Sequence, residues 1–160
     1  FILTPDRFTT QLAKVYSPAL TPEEQLNMSS TFKYQGGTTV FPKTLRYLQD
    51  RHKLETTWLQ TLSRSDIPAT LIWGEKDPIA TTEIANLVWD NHLRNRSAAA
   101  SYWRLPCASH YPQNDQPEVI AQLVRWSLSE DEVAFTAVQN SACAPVLVEE
   151  MPHTPKVIDA

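Results

Sequence analysis

Glycine occurs only three times in this 160-residue sequence, as Gly36, Gly37 and Gly74. With so few glycines the chain cannot contain a G-x-G-x-x-G dinucleotide loop, a P-loop or the G-x-S-x-G turn that carries a nucleophilic serine. Phosphate-cradling loops and a serine elbow are therefore excluded from this chain. Because only glycine adopts a positive φ without steric cost, we expect each glycine, and Gly74 above all, to stand where the backbone requires it.

Cysteine and long apolar runs are also scarce. The two cysteines, Cys107 and Cys143, lack the close paired spacing of a zinc site or a C-x-x-C redox pair, and we predict that both are reduced. No apolar run approaches the roughly 18 residues that a membrane span requires. No signal-peptide h-region with a small-residue cleavage site is visible either. The sequence therefore predicts no membrane segment.

Neither sign of charge is in large excess over the chain as a whole. The formal net charge is −4, from 14 Lys and Arg against 18 Asp and Glu, without a basic cluster. An electrostatic footprint for nucleic acid is missing, so we expect no nucleic-acid partner and favour a small molecule or a protein. The composition, 42% hydrophobic and 20% charged, is typical of one globular domain. The composition does not identify the cellular compartment of the protein, although we favour the cytoplasm.

The first part of the chain, residues 1–65, has the pattern of helices and no convincing strand. A threonine followed by proline predicts helix starts at Thr4 and at Thr21. A third, longer helix is predicted from near Pro42 to Leu62, with an interrupted apolar stripe. The glycines near position 36 predict a break between the second and third helices.

The pattern changes at Asp66. Ile67–Trp73 is a short apolar run typical of a strand covered on both faces, and Ser101–Leu105 is a second strand candidate. Helices are predicted after Thr81 and from Pro117, which makes residues 66–129 a β-α-β-α unit. Residues 130–160 are predicted to be an irregular tail. Because sheets normally contain four or more strands, we expect this sheet to be incomplete.

Two chemically active side chains follow the two predicted strands. Asp77 comes just after the first strand and His110 lies in the loop after the second. Carboxyl ends of parallel strands meet at one edge of a sheet, where a carboxylate can orient an imidazole for general base catalysis. A simpler alternative is that Asp77 is a turn residue before Pro78 and His110 an exposed loop histidine. Glu75 is interpreted as an exposed turn residue.

The other three histidines carry no recognisable chemistry. His52, His92 and His153 are interpreted as structural or solvated residues. No two histidines stand at a metal-ligand spacing with an acid, and we predict no metal site. Nothing in the sequence indicates a bound cofactor.

The two segments around Asp77 and His110 resemble those of a known superfamily. The apolar strand that runs into Gly74 and then Asp77 is similar to the segment with the catalytic acid in α/β-hydrolases. His110-Tyr111-Pro112-Gln113, followed by Asp115, Pro117 and Glu118, resembles the segment with the catalytic histidine. The resemblance is closest to the epoxide hydrolase and haloalkane dehalogenase branch, and it covers roughly residues 1–128.

The resemblance implies an α/β fold that is the C-terminal part of an α/β-hydrolase fold. Residues 1–65 would be the helical cap, Asp77 the acid of the triad and His110 its base. The first six strands, the oxyanion loop and the nucleophile elbow are missing, so the nucleophile is absent from this chain. Since the chain begins with Phe1 rather than Met, we expect it to be a piece of a longer protein.

Two functions remain open at this point. The chain is either the C-terminal portion of a hydrolase that acts on an ester, an epoxide or a halide, or a non-catalytic truncated remnant or partner-binding module. In the first case it takes a small-molecule substrate once an N-terminal half completes it. Whether the chain by itself is an enzyme stays open, as do the bond cleaved and the oligomeric state.

Overall fold

The structure, a computed structural model, describes residues 4–128 and 142–152. Its helices are α1 Pro5–Leu12, α2 Pro22–Lys33, α3 Gly37–Thr44, α4 Tyr47–Arg64, α5 Thr82–Val88, α6 Pro112–Asp115 and α7 Pro117–Leu128. Its strands are β1 Ala69–Gly74, β2 Ala100–Leu105 and β3 Val146–Met151. Short 3₁₀ turns lie at Ala13–Val15 and Tyr34–Gly36, and a π-helical stretch, Trp89–Leu93, continues α5.

The helix starts predicted at the two Thr-Pro steps are confirmed. The Thr4 hydroxyl accepts the Arg7 N–H at the start of α1. At the start of α2, Thr21 and Glu24 form a reciprocal capping box, in which the carboxylate accepts the Thr21 N–H at 2.7 Å. Each bond satisfies a backbone donor that has no partner within its helix. These helices therefore begin where local sequence alone places them.

The long helix predicted from Pro42 to Leu62 is instead two helices, α3 and α4, separated by a turn at residues 45–46. Phe41 of α3 packs 4.7 Å from Phe8 and 4.9 Å from Phe32, measured between ring centroids. This aromatic cluster holds α3 against α1 and α2, whereas α4 runs towards the sheet and contacts the π-helical stretch. The predicted break near Gly36 is confirmed, with positive φ at Gln35 and Gly36.

The sheet has the order β1-β2-β3. β1 and β2 are parallel, in register from Ala69 opposite Ala100 to Gly74 opposite Leu105. Alternate residues of β2 enter two apolar clusters, one on each face. The first joins β2 to α5 and the π-helical stretch; its buried members are Ala85, Trp89, Leu93, Ala100 and Tyr102. The second joins β2 to α7; its buried members are Trp103, Leu105, Ala108, Val119 and Leu123.

The prediction of an irregular tail is wrong for Val146–Met151. This segment forms β3, antiparallel to β2, and the Glu149 carboxylate accepts hydrogen bonds from the Trp89 indole and the Arg94 guanidinium. A strand whose side chains are largely exposed gives little sequence signal, because its stability comes from pairing with β2. The rest of the predicted tail, residues 130–141 and 153–160, lies outside the described residues.

The prediction that both cysteines are reduced is also wrong. Cys107 and Cys143 form a disulfide with their Cα atoms 5.1 Å apart. Because β3 returns antiparallel to β2, the residues just before β3 lie beside the end of β2. The sequence spacing could not show this proximity, since it depends on the pairing of the two strands.

The predicted α/β fold class is confirmed, with helices followed by a β-α-β-α unit and a small, incomplete sheet. Within the described residues, β1 pairs with β2 alone, and its other edge has no strand beside it. The longest of the described helices, α4, carries charged side chains along its length. None of the helices in residues 4–128 and 142–152 has the length and hydropathy needed to cross a bilayer.

Candidate active site

Asp77 and His110 meet at one edge of the sheet. β1 and β2 end at paired residues, Gly74 and Leu105, so the loops that follow leave the sheet side by side. Backbone bonds join these loops: the Glu75 N–H donates to Leu105 O at 3.0 Å and the Lys76 N–H to Ala108 O at 2.9 Å. The juxtaposition expected from two parallel strands is therefore present.

The two carboxylate oxygens of Asp77 have different partners. Oδ1 accepts the Ile79 N–H at 2.8 Å and the Ala80 N–H at 2.9 Å. Oδ2 lies 2.8 Å from Nδ1 of His110. The Trp73 indole, which donates to Ala80 O at 2.8 Å, closes the same turn. The turn after β1 thus holds the carboxylate in one orientation, with a single oxygen turned to the imidazole.

Electrostatics keep Asp77 ionised. Burial by itself would raise the pKa of Asp77, but hydrogen bonds from the Ala80 N–H, the His110 ring and the Ile79 N–H outweigh it and lower the pKa below its ordinary value. An ionised carboxylate only accepts hydrogen bonds, so Nδ1 of His110 must donate. Nε2 of the neutral ring is then left with a lone pair, which is the form a general base requires.

Exposure differs sharply between the two side chains. The Asp77 side chain is 6% exposed and the His110 side chain 31%. A buried, oriented acid beside a histidine that reaches the surface can stabilise a protonated imidazole while the ring contacts an external molecule. The arrangement is therefore suited to accepting and returning a proton.

Gly74 is required by the close approach of the two loops. A Cβ at this position would lie 2.2 Å from Ser109 O and 2.7 Å from Ala108 O, both backbone atoms. The expectation that Gly74 stands where the backbone requires it is borne out, but through lack of space and not through a positive φ. A side chain here would push apart the segments that carry Asp77 and His110.

Aromatic side chains flank the histidine. The Tyr111 ring lies edge-on to His110 at 5.0 Å and stacks on Tyr16 at 4.6 Å, measured between ring centroids. Burial and the negative charge of Asp77 raise the pKa of Tyr111. Tyr16 also lines an open groove of about 480 Å³ beside α2, with Leu20 and Met28 among its apolar lining residues. The groove shares Tyr16 with the aromatic pair next to His110, but His110 and Asp77 are not among its lining residues.

The other candidates are not part of this cluster. Glu75 is exposed, as predicted for a turn residue, and pairs with Arg104 at 3.5 Å. His52 is exposed on α4, and Nδ1 of His92 lies 2.9 Å from Oγ of Ser63, which ties α4 to the π-helical stretch. His153 lies outside the described residues. Across residues 4–128 and 142–152, no group of three or more His, Cys, Asp or Glu side chains could hold a metal ion.

Asp115 lies in the segment that resembles the one with the catalytic histidine, but the sequence by itself gives this residue no role. Asp115, at the end of α6, accepts backbone hydrogen bonds from Ser109 and from Ser17. The local signals are its place in that segment and its position two residues before the proline that starts α7. Neither signal could reveal a partner in the helical region far away in the chain.

Comparison with curated proteins finds the protein named "Putative hydrolase LipZ" in two strains of Mycobacterium tuberculosis, CDC 1551 / Oshkosh and ATCC 25618 / H37Rv. In each case 28% of residues are identical over 117 residues, which cover 72% of this chain and 39% of the relative. The chain thus spans about two fifths of the length of the curated relatives it matches. No family model and no solved structure matches it. The chain is distantly similar to a protein named as a hydrolase.

Proposed function

We propose that this chain supplies the acid and the base of a hydrolase active site, as the C-terminal portion of an α/β-hydrolase-fold enzyme whose nucleophile lies outside the chain. The observation that carries the proposal is the 2.8 Å contact between Oδ2 of Asp77 and Nδ1 of His110 at the carboxyl ends of two parallel strands. The distant similarity to a protein named as a hydrolase supports the same class of reaction.

The proposed chemistry is a proton transfer at His110. Nε2 takes the proton from the nucleophile, or from the water that later releases the product, and returns a proton to the leaving group. Asp77 holds the ring in the tautomer that leaves Nε2 free and stabilises the positive charge that forms on it. The low pKa of Asp77 keeps the acid ionised throughout this cycle.

The regions of the chain take roles within this proposal. Residues 1–65 form the helical cap, residues 66–129 belong to the hydrolase core, and residues from 130 onwards follow it. The substrate of this proposal is a small molecule that reaches the partly exposed ring of His110. The finer resemblance, to the epoxide hydrolase and haloalkane dehalogenase branch and to the mesoderm-specific transcript protein, rests on His110-Tyr111-Pro112-Gln113 and on the run Arg51–Trp58.

Activity assays on the protein expressed from its complete gene test the proposal. An activated short-chain ester, an aromatic epoxide and a chloroalkane are the three substrates to compare. We expect His110→Ala and Asp77→Asn each to lower kcat/KM for the preferred substrate by roughly 10²–10⁴-fold, because each removes the proton transfer or its orientation. The substrate that is turned over identifies the bond cleaved.

Matched controls come from α4, where His52 and Asp50 are both exposed. His52→Ala and Asp50→Asn change the same residue types without touching the Asp77–His110 pair, so activity should stay at the wild-type level. Equal activity of His110→Ala and wild type on a substrate that the protein hydrolyses would refute the proposed roles.

A second candidate function is a non-catalytic, partner-binding module, and one observation favours it. The outer edge of β1 has no strand beside it in the described part of the chain, and Ala69–Trp73 remain partly exposed whereas most of β2 is buried. Unpaired strand edges recruit further strands. Sedimentation of the isolated 18.2 kDa chain would support this function if the chain associates with a partner strand or with itself. A monomer that melts cooperatively would count against it.

A further inference from the structure

The carboxylate of Asp115 joins two parts of the chain that are far apart in sequence. Oδ2 accepts the Ser109 N–H at 2.7 Å, and Oδ1 accepts the Ser17 N–H at 2.9 Å. Ser17 lies in the segment after α1, 98 positions from Asp115, whereas Ser109 directly precedes His110. One side chain thus links the helical region to the histidine loop.

Ser109 and the N–H of His110 are held by three separate segments. The His110 N–H donates to Val15 O at 3.2 Å, next to the segment that contains Ser17. The Ser109 hydroxyl donates to Lys76 O at 3.2 Å, in the loop that carries Asp77. Asp115 completes this set by binding the Ser109 N–H. The position of the loop therefore depends on how α1 and its following segment sit against the sheet edge.

Loss of the Asp115 carboxylate would leave a buried donor without a partner. Ser109 is only 4% exposed, so water cannot easily replace the carboxylate. A buried N–H without an acceptor is costly, and the loop is expected to shift to regain one. The His110 ring is partly exposed, so the position of its backbone, together with the hydrogen bond to Asp77, sets where Nδ1 points.

We propose that Asp115 is the positioning residue of His110, and that it makes the Asp77–His110 geometry depend on the docking of the helical region through Ser17. The inference builds on the proposed function, since it assigns the residue that sets the base in place. It concerns a structural linkage, however, which can be measured in the 160-residue chain whether or not that chain has activity.

Hydrogen exchange followed by NMR on the isolated chain tests the linkage. In Asp115→Asn and Asp115→Ala, we expect the amides of Ser109 and His110 to exchange roughly ten- to hundredfold faster than in wild type. The Nδ1–H signal of His110 should broaden in the same variants, with the larger effect in Ala, because Asn keeps one acceptor oxygen. Glu118→Gln, an exposed acid three positions away, should leave both readouts unchanged.

A purely structural role for Asp115 predicts a different result. The melting temperature would fall, while the Nδ1–H signal of His110 and the exchange of its amide would match wild type, and this result would overturn the proposal. Wild-type protein offers a test without any variant. The amides of Ser17, Ser109 and His110 should open together, with equal exchange free energies, and independent opening of Ser109 would also overturn the proposal.

Kinetics separate this inference from the proposed function. In the protein expressed from its complete gene, Asp115→Asn should lower kcat about tenfold and leave KM within about twofold of wild type, because the base is misplaced and not the substrate. A fall in kcat that is accompanied by an equally large rise in KM would refute the positioning role. If that protein hydrolyses none of the substrates, the proposed function fails, and the exchange measurements still decide whether Asp115 positions His110.

Discussion

Gly74→Ala is the most direct perturbation of the candidate site that replaces neither Asp77 nor His110. The added Cβ would lie 2.2 Å from Ser109 O, whereas ordinary contact begins near 3.4 Å. The obstructing atoms belong to the backbone and cannot rotate away. The loops after β1 and β2 must therefore separate by about 1 Å or more.

Such a displacement has two measurable consequences. Overpacking of this size costs about 1–3 kcal/mol in the free energy of unfolding. Because the Asp77–His110 contact is 2.8 Å long, an extra separation of about 1 Å takes it beyond hydrogen-bond length. We expect Gly74→Ala to unfold at lower urea concentration and to lose the Nδ1–H signal of His110.

The matched control is Gly36→Ala, in which the same atom is added at a different kind of glycine. Gly36 has φ +77° and nothing within 4 Å of the added Cβ, so the substitution costs about 1 kcal/mol through backbone strain alone. It should lower the stability and leave the His110 signal intact. Wild-type stability together with an unchanged His110 signal in Gly74→Ala would refute the argument from close approach.

Three further predictions concern stability. Because the pKa of Asp77 is lowered in the folded state, its ionised form stabilises the fold at pH values above the ordinary pKa of 3.8, and this stabilisation is lost as the pH falls through the lower folded pKa. The free energies of unfolding of wild type and Asp77→Asn, measured in urea, should therefore converge between about pH 5 and pH 2. A difference between them that does not change with pH would contradict this prediction. Replacing Cys107 and Cys143 by alanine should lower the unfolding free energy by about 4 kcal/mol, the loop-closure value for a separation of 36 residues; an unchanged melting temperature would count against the disulfide. The buried Arg96 guanidinium donates to two carbonyls of the linker between α4 and β1, so Arg96→Met should cost about 2–3 kcal/mol, whereas the exposed Arg51→Met should stay within about 0.5 kcal/mol.

Local signals sufficed wherever the stabilising partners are close in sequence. The capping box of α2 joins Thr21 to Glu24, three positions apart, and the turn that orients Asp77 uses the N–H groups of Ile79 and Ala80. The apolar run that became β1 was visible because its side chains pack against apolar clusters on both faces of the sheet. Such features can be recognised in a window of a few residues.

The features that were mispredicted depend on partners far away in the chain. The division between α3 and α4 follows from the contacts of Phe41 with Phe8 and Phe32. β3 was missed because its stability comes from pairing with β2 across an intervening segment. The same pairing brought Cys107 beside Cys143. No periodicity in a short window encodes these contacts.

The sequence by itself determined the starts of α1, α2, α5 and α7, the positions of the strands β1 and β2, and the presence of a carboxylate and a histidine just beyond them. Capping signals and apolar runs are local properties, which is why a short stretch of sequence reveals them. Only the tertiary structure decided that Asp77 directs one oxygen to Nδ1 of His110, that Gly74 leaves room for the histidine loop, and that Asp115 ties this loop to Ser17. Each of these depends on ångström-scale distances between segments separated by many residues, and such distances exist only once the sheet and the helical region have packed together.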